Sequence, residues 1–153
     1  MEEIVNLDKL KYVGDGRDGI IFYKRREIIK VPSCYWGDPV EHKKEYGESS
    51  LKNEYDVHLD LYNKGIKVPK PYDLVNISWH SKKGIGLMME RIYGINLENL
   101  LFFKKFFHQK MIQEVKKAKD LGFKLNDRRD INTLINFKGE IFLIDFNDCE
   151  SPK

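Results

Sequence analysis

The stretch Leu125–Asn147 leaves this chain few ways to fold. Two short apolar runs, Thr133–Asn136 and Glu140–Ile144, are separated by Phe137-Lys138-Gly139. Runs of that length around a glycine-bearing turn predict a β-hairpin, with Gly139 supplying the turn. Oxygen-bearing side chains gather at its open end. Asp127 and Asn132, with four residues between them, precede the first run, and Asp145 follows the second. Oxygens placed before one strand and just after its partner can converge on one hard cation, here through Asn132 and Asp145. Asp127 would then be left to orient an attacking hydroxyl. The other reading is a polar turn with Asp145 capping a strand end.

Upstream, short β-type runs alternate with turns: Lys11–Val13, Gly19–Tyr23 and Glu27–Val31. Leu51, Val57, Leu61 and Tyr62 stand at helical spacing, which predicts a helix over 50–63 capped by Ser49 or Ser50. Gly65 is its expected stop, and Val68-Pro69-Lys70-Pro71 forbids continuation. Tyr72–Ile77 and Gly86–Ile92 read as strands. A second helix is expected from Leu97 to Leu121, broken near Phe102–His108. Strands with one helix, then mostly helix, then a hairpin make an α+β fold. We expect a single domain, 1–153, divided into a strand-rich 1–92 and a mainly helical 93–153. The pairs Phe102-Phe103 and Phe106-Phe107 either fill the core of the helical part or form an exposed patch for a protein partner or a homodimer.

Charge excludes more than it identifies. The 27 basic and 24 acidic residues nearly cancel, and a net charge of +3 does not argue for nucleic acid. The basic clusters Lys24-Arg25-Arg26, Lys43-Lys44, Lys82-Lys83 and Lys116-Lys117 read as solvated faces, so a nucleic-acid partner is not expected. Cys34 and Cys149 show no CxxC spacing and permit a reducing compartment. No apolar run approaches membrane-spanning length, and the opening MEEIVNLDKLK is no signal peptide. The expectation is a soluble cytoplasmic protein with no membrane partner.

Gly14-Asp15-Gly16-Arg17-Asp18-Gly19 is a GxGxxG between β runs. Such glycines let backbone N–H groups approach phosphate oxygens, although a glycine-rich hairpin turn looks the same. A dinucleotide-binding unit is disfavoured, because there the glycines open a helix, whereas Gly19 leads into Ile20-Ile21-Phe22-Tyr23. The next run, Glu27–Val31, carries Lys30 among apolar residues. Lys30 either faces solvent on an edge strand or points inward, where it needs anionic partners. Glu54 is the candidate, with Glu45 and Glu48 as competitors.

Taken in order, these residues make the chain resemble the protein-kinase-like superfamily in a truncated, minimal form. The compact style, with GIKVPKP after the first helix, is more similar to Rio-type, lipopolysaccharide-kinase and aminoglycoside-phosphotransferase relatives than to large signalling kinases. The resemblance implies an antiparallel N-lobe sheet with one helix, and a much reduced helical C-lobe ending in a hairpin. It implies that Gly14, Gly16, Gly19 and Ile21 form the phosphate loop, with Lys30 as the strand lysine and Glu54 as its helix partner. Met89 becomes the gatekeeper, and Glu90 and Ile92 offer backbone groups to adenine. Asp127 becomes the catalytic Asp, Arg129 reaches the γ-phosphate or is merely solvated, and Asn132 and Asp145 hold magnesium. The implied activity is a kinase-type transfer from ATP·Mg²⁺ to a hydroxyl acceptor, a protein Ser/Thr included. The alternative is an ATP-binding pseudokinase that regulates a partner.

The sequence departs from that pattern at three places. Leu125-Asn126 stand where the family has His-Arg, so the usual support of the catalytic loop is missing. Asp145-Phe146-Asn147 replaces DFG. Eight residues follow Asp145, so no activation segment or peptide platform is expected.

Overall fold

The computed structural model of this chain describes residues 3–16, 19–32, 47–126 and 130–153. The fold is α+β: a six-stranded sheet, a three-stranded sheet and two α-helices among the described residues. The chain forms two compact units, Met1–Tyr55 with Pro71–Arg91, and Asp56–Lys70 with Ile92–Lys153.

In the first unit, β1 (Val5–Asn6), β2 (Lys11–Gly16), β3 (Gly19–Lys24), β4 (Glu27–Val31), β5 (Pro71–Trp79) and β6 (Lys82–Glu90) lie in the order β1-β5-β6-β4-β3-β2. The pairings are antiparallel except β1 with β5. Alternation along the strands gives the sheet two apolar faces. Ile20, Phe22, Ile29, Val31 and Ile77 bury one face with Leu7. Leu87 and Met89 bury the other with Leu51 of helix α1 (Glu48–Asn63).

β5 and β6 reach further toward their common turn than the strands expected from the sequence, β6 ending at Glu90, and the hairpin turns at His80 and Ser81, with φ of 45° and 66°. Two positive φ values mark a tight turn of the type that prefers Asn-Gly, so His-Ser carried no signal. A tertiary contact holds it: the His80 N–H donates to the Asp8 carboxylate at 3.2 Å, while its ring stacks on that of the preceding Trp79 at 5.0 Å.

In the second unit, Val57 and Leu61 from the later half of α1 pack with Leu97, Leu143, Phe146 and Met111, the last on α2 (Lys104–Asp120). Both helices end in the same device. Gly65 at φ 73° and Gly122 at φ 93° take the left-handed position after the helix. The following residues, Ile66 and Phe123, donate back to Leu61 and Ala118, a Schellman closure. The expected second helix is split. A 3-10 turn covers Leu97–Asn99, and α2 starts only after Phe103, itself left-handed at φ 59°. Phe107 packs against the core, whereas Phe102, Phe103 and Phe106 are exposed.

The expected terminal hairpin is present as β8 (Thr133–Asn136) and β9 (Ile141–Leu143). The Asn136 carboxamide oxygen accepts from the Lys138 and Glu140 N–H groups, and Gly139 has φ 75°. A third strand, β7 (Gly94–Asn96), pairs with β8. No described helix is long and apolar enough to cross a membrane.

At Gly94 a Cβ would overlap the Ile135 carbonyl, whereas at Gly14 it would meet nothing. Gly94→Ala is therefore expected to cost more than about 2 kcal/mol in urea unfolding, and Gly14→Ala to stay within about 0.5 kcal/mol.

Candidate functional site

On the first unit, Lys30 sits in β4 between Ile29 and Val31, which face the opposite side of the sheet. Its side chain therefore points toward α1, not outward. Glu54 follows Leu51 by one helical turn on the buried stripe of α1, so it meets the lysine there. The Lys30 ammonium donates to both Glu54 oxygens at 2.9 Å. Lys30 is 7% exposed and Glu54 1%. Of the competing carboxylates, Glu48 is exposed and Glu45 lies outside the described residues.

The glycine motif adjoins this pair. Gly16 and Gly19 face each other at the end of the β2–β3 hairpin, and β2 shifts register between Tyr12 and Gly14. Gly14 then pairs with Ile21, Ile21 with Lys30, and Lys30 with Leu87, one row across four strands. Gly19 has φ 151°, and a Cβ there would lie 2.8 Å from the Val31 carbonyl and 3.1 Å from Lys30 Cε. A side chain at 19 would thus push against the Val31 backbone and crowd the lysine stem.

Met89 is 5% exposed and packs in the Leu51 cluster. Glu90 pairs with Glu27 at the end of β6. The Arg91 N–H then donates to the Arg26 carbonyl at 3.0 Å, and the Arg91 guanidinium covers the Tyr23 ring at 3.6 Å. Ile92, expected in the same strand, lies beyond it and is half-buried.

On the second unit, the hairpin brings Asn132 and Asp145 to one end. Asn132 closes a 3-10 turn (Asp130–Asn132) and is 9% exposed, and its carbonyl accepts from the Ile144 N–H at 3.0 Å. Asp145, the next residue, is left-handed at φ 63°. Phe146 is fully buried and meets the His58 ring edge-on at 5.0 Å. His58 Nε2 is in turn 2.6 Å from the Pro69 carbonyl. Asp127 and Arg129 lie outside the described residues.

The described segment just before them, 124–126, is held by means the sequence did not reveal. Leu125 is buried in the core, and the Asn126 amide donates to the Asp148 carbonyl. Lys124 and Glu150 exchange backbone hydrogen bonds at 3.0 Å. Their side chains meet at 2.8 Å, and the hydrogen bond from Lys124 holds the Glu150 carboxyl below its ordinary pKa. Packing of Leu125, the Asn126 side-chain hydrogen bond and the Lys124–Glu150 backbone bonds thus hold this segment at Leu125-Asn126. A further pair went unread: His108 Nδ1 on α2 lies 2.6 Å from Asp130 Oδ1, inside the Asp127–Asn132 span, and Lys104 Nζ is 4.0 Å from the other oxygen. A histidine inside LFFKKFFHQK gives no local sign of a partner 22 residues on.

No protein family and no curated protein matches this sequence. Among solved structures, the chain is similar to WbdD, with TM-score 0.58 and 14% identity, covering 94% of this chain and 33% of that one. The chain spans about a third of that protein's length. At that identity the likeness is one of fold.

Removing one partner of a buried ion pair strands the other charge. Lys30→Met and Glu54→Gln are each expected to cost about 3–5 kcal/mol in chemical unfolding. The double variant Lys30→Met/Glu54→Leu should recover most of that loss. Additive losses in the double variant would show that the two charges are not coupled.

Proposed function

We propose that this chain is an ATP- and magnesium-dependent phosphotransferase of protein-kinase-like fold that moves the γ-phosphoryl group to a hydroxyl acceptor, a protein Ser/Thr included. The observation that carries this reading is the buried Lys30–Glu54 pair, set in one row with Gly14 and Ile21 and pressed against Gly19. Such a pair adds little net stability compared with apolar residues. A lysine held in a fixed place beside a glycine turn suits phosphate oxygens well.

In this reading Glu54 fixes the Lys30 ammonium, and Lys30 and the Gly14–Gly19 backbone take phosphate charge. Met89 limits depth at the base, and Glu90 and Ile92 provide backbone groups for adenine. The Asn132 amide and Asp145 carboxylate are oxygen donors of the type that magnesium takes alongside phosphates and water. Magnesium, when bound, neutralises charge on the β- and γ-phosphates. Asp127 accepts the proton of the acceptor hydroxyl as its oxygen bonds to the γ-phosphorus. The bond from that phosphorus to the β,γ-bridging oxygen breaks, and ADP leaves. Arg129 offers charge to the γ-phosphate. Nucleotide supply places the activity in the cytoplasm.

The pseudokinase reading is favoured by two residues, Asn126 in place of the family's arginine and Asn147 in place of its glycine. Both readings predict magnesium-dependent ATP binding at roughly micromolar affinity by calorimetry. That binding should be lost in Asp145→Ala and in Lys30→Met, each first checked for folding. Absence of binding in the wild type removes both readings. Slow ATP turnover abolished by Asp127→Asn selects the enzyme, and binding without turnover selects the pseudokinase.

A further inference from the structure

The segment entering α2 is built against the ordinary rules of helix formation. Phe103, at its N-cap, is left-handed and makes no side-chain cap. The first turn holds Lys104 and Lys105 and no acidic residue, although positive charge is unfavourable at a helix N-terminus. Leu101, Phe102, Phe103 and Phe106 are 87%, 74%, 78% and 56% exposed. Lys104 is engaged locally, donating to the Glu98 carbonyl at 2.9 Å and lying 4.0 Å from Asp130, but the four exposed apolar side chains bury little in the fold.

The surface continues onto the β8–β9 turn. Lys110 Nζ lies 4.8 Å and 5.4 Å from the Phe106 and Phe107 ring centroids and donates to the Gly139 carbonyl at 3.3 Å. Phe137, at the tip of that turn, is 89% exposed, and Lys138 beside it is exposed too. Residues 101–110 and 137–139 contain no Asp or Glu.

We propose that this face docks on an anionic lipid bilayer, lying in the headgroup region without spanning it. The charge pattern chooses this occupant over a protein. Protein interface cores are depleted in lysine, whereas interfacial membrane segments interleave aromatic residues with lysines that reach anionic headgroups. The apolar side chains also project from a bend and a turn tip, which suits insertion. The absence of a spanning helix among the described residues leaves such surface binding open. It goes beyond the sequence expectation of no membrane partner, which rested on the lack of a spanning apolar run and of a signal peptide.

The test is flotation of the full chain with phosphatidylcholine vesicles, with and without about one-third phosphatidylserine. The wild type should float with the anionic vesicles, weakly or not at all with neutral ones, and should be released by high salt. Phe102→Asp and Phe106→Asp should each weaken binding about tenfold, with unfolding midpoints unchanged. Lys104→Ala/Lys105→Ala should weaken it as well, whereas Lys82→Ala/Lys83→Ala, with the same loss of charge in the other unit, should not. Equal effects from the two lysine pairs, or no flotation, would overturn the proposal. So would a wild-type dimer that Phe106→Asp dissociates and that vesicles leave in solution, because a second copy would then cover the patch.

Discussion

The Lys30–Glu54 pair sets terms that its surroundings must meet. Two charges are removed from water and placed among Ile28, Leu87, Met89 and Leu51, where each is tolerable only because of the other. The β3–β4–β6 register must bring the lysine to the middle of the sheet, and α1 must present position 54 one turn after its Leu51 anchor. Residue 19 must lack a side chain, because its positive φ disfavours one and the Val31 carbonyl and the lysine stem fill the space. Glycine, lysine and glutamate, which look like three separate motifs in the sequence, are thus one packing problem.

The second unit handles its polar residues differently. Phe146 is driven into the core, and the Ile144 N–H is tied to the Asn132 carbonyl. Asp145 has to join these two demands, which accounts for its left-handed backbone, a conformation that aspartate tolerates better than most residues. Its position follows from apolar burial on one side and strand pairing on the other. The Lys124–Glu150 bridge and the Asn126–Asp148 hydrogen bond then bind the chain segment before Asp127 to the one after Asp145.

Much of this was legible where local chemistry forces the outcome. Gly65 and Gly139 end or turn elements through positive φ, Lys30 needed an anion if it faced inward, and the hairpin runs pair as their spacing implies. What was hidden depends on distant partners. The His80-Ser81 turn is held by Asp8, and β1 exists only because β5 accepts it. β7 exists because Gly94 lets β8 approach. The split before α2 was half visible: the Phe-rich stretch marked the place, but not that three of the four rings would be left in water.

The division of the chain carries a consequence for how it can be made. The backbone passes between the two units at residues 55–56, 70–71 and 91–92, so neither unit is one uninterrupted piece of sequence. On the ribosome, the first sheet cannot complete until β6 has emerged, and by then Val57 and Leu61 are already waiting for a core that Leu143 and Phe146 will complete only some eighty residues later. Those apolar residues must stay unsatisfied while some eighty residues are added, roughly 4–16 s at ordinary synthesis rates. A cut at residue 92 would leave the first unit whole but deprive the second of Asp56–Lys70, and with it of Val57, Leu61, Ile66 and Val68 of its core, so that half cannot fold alone.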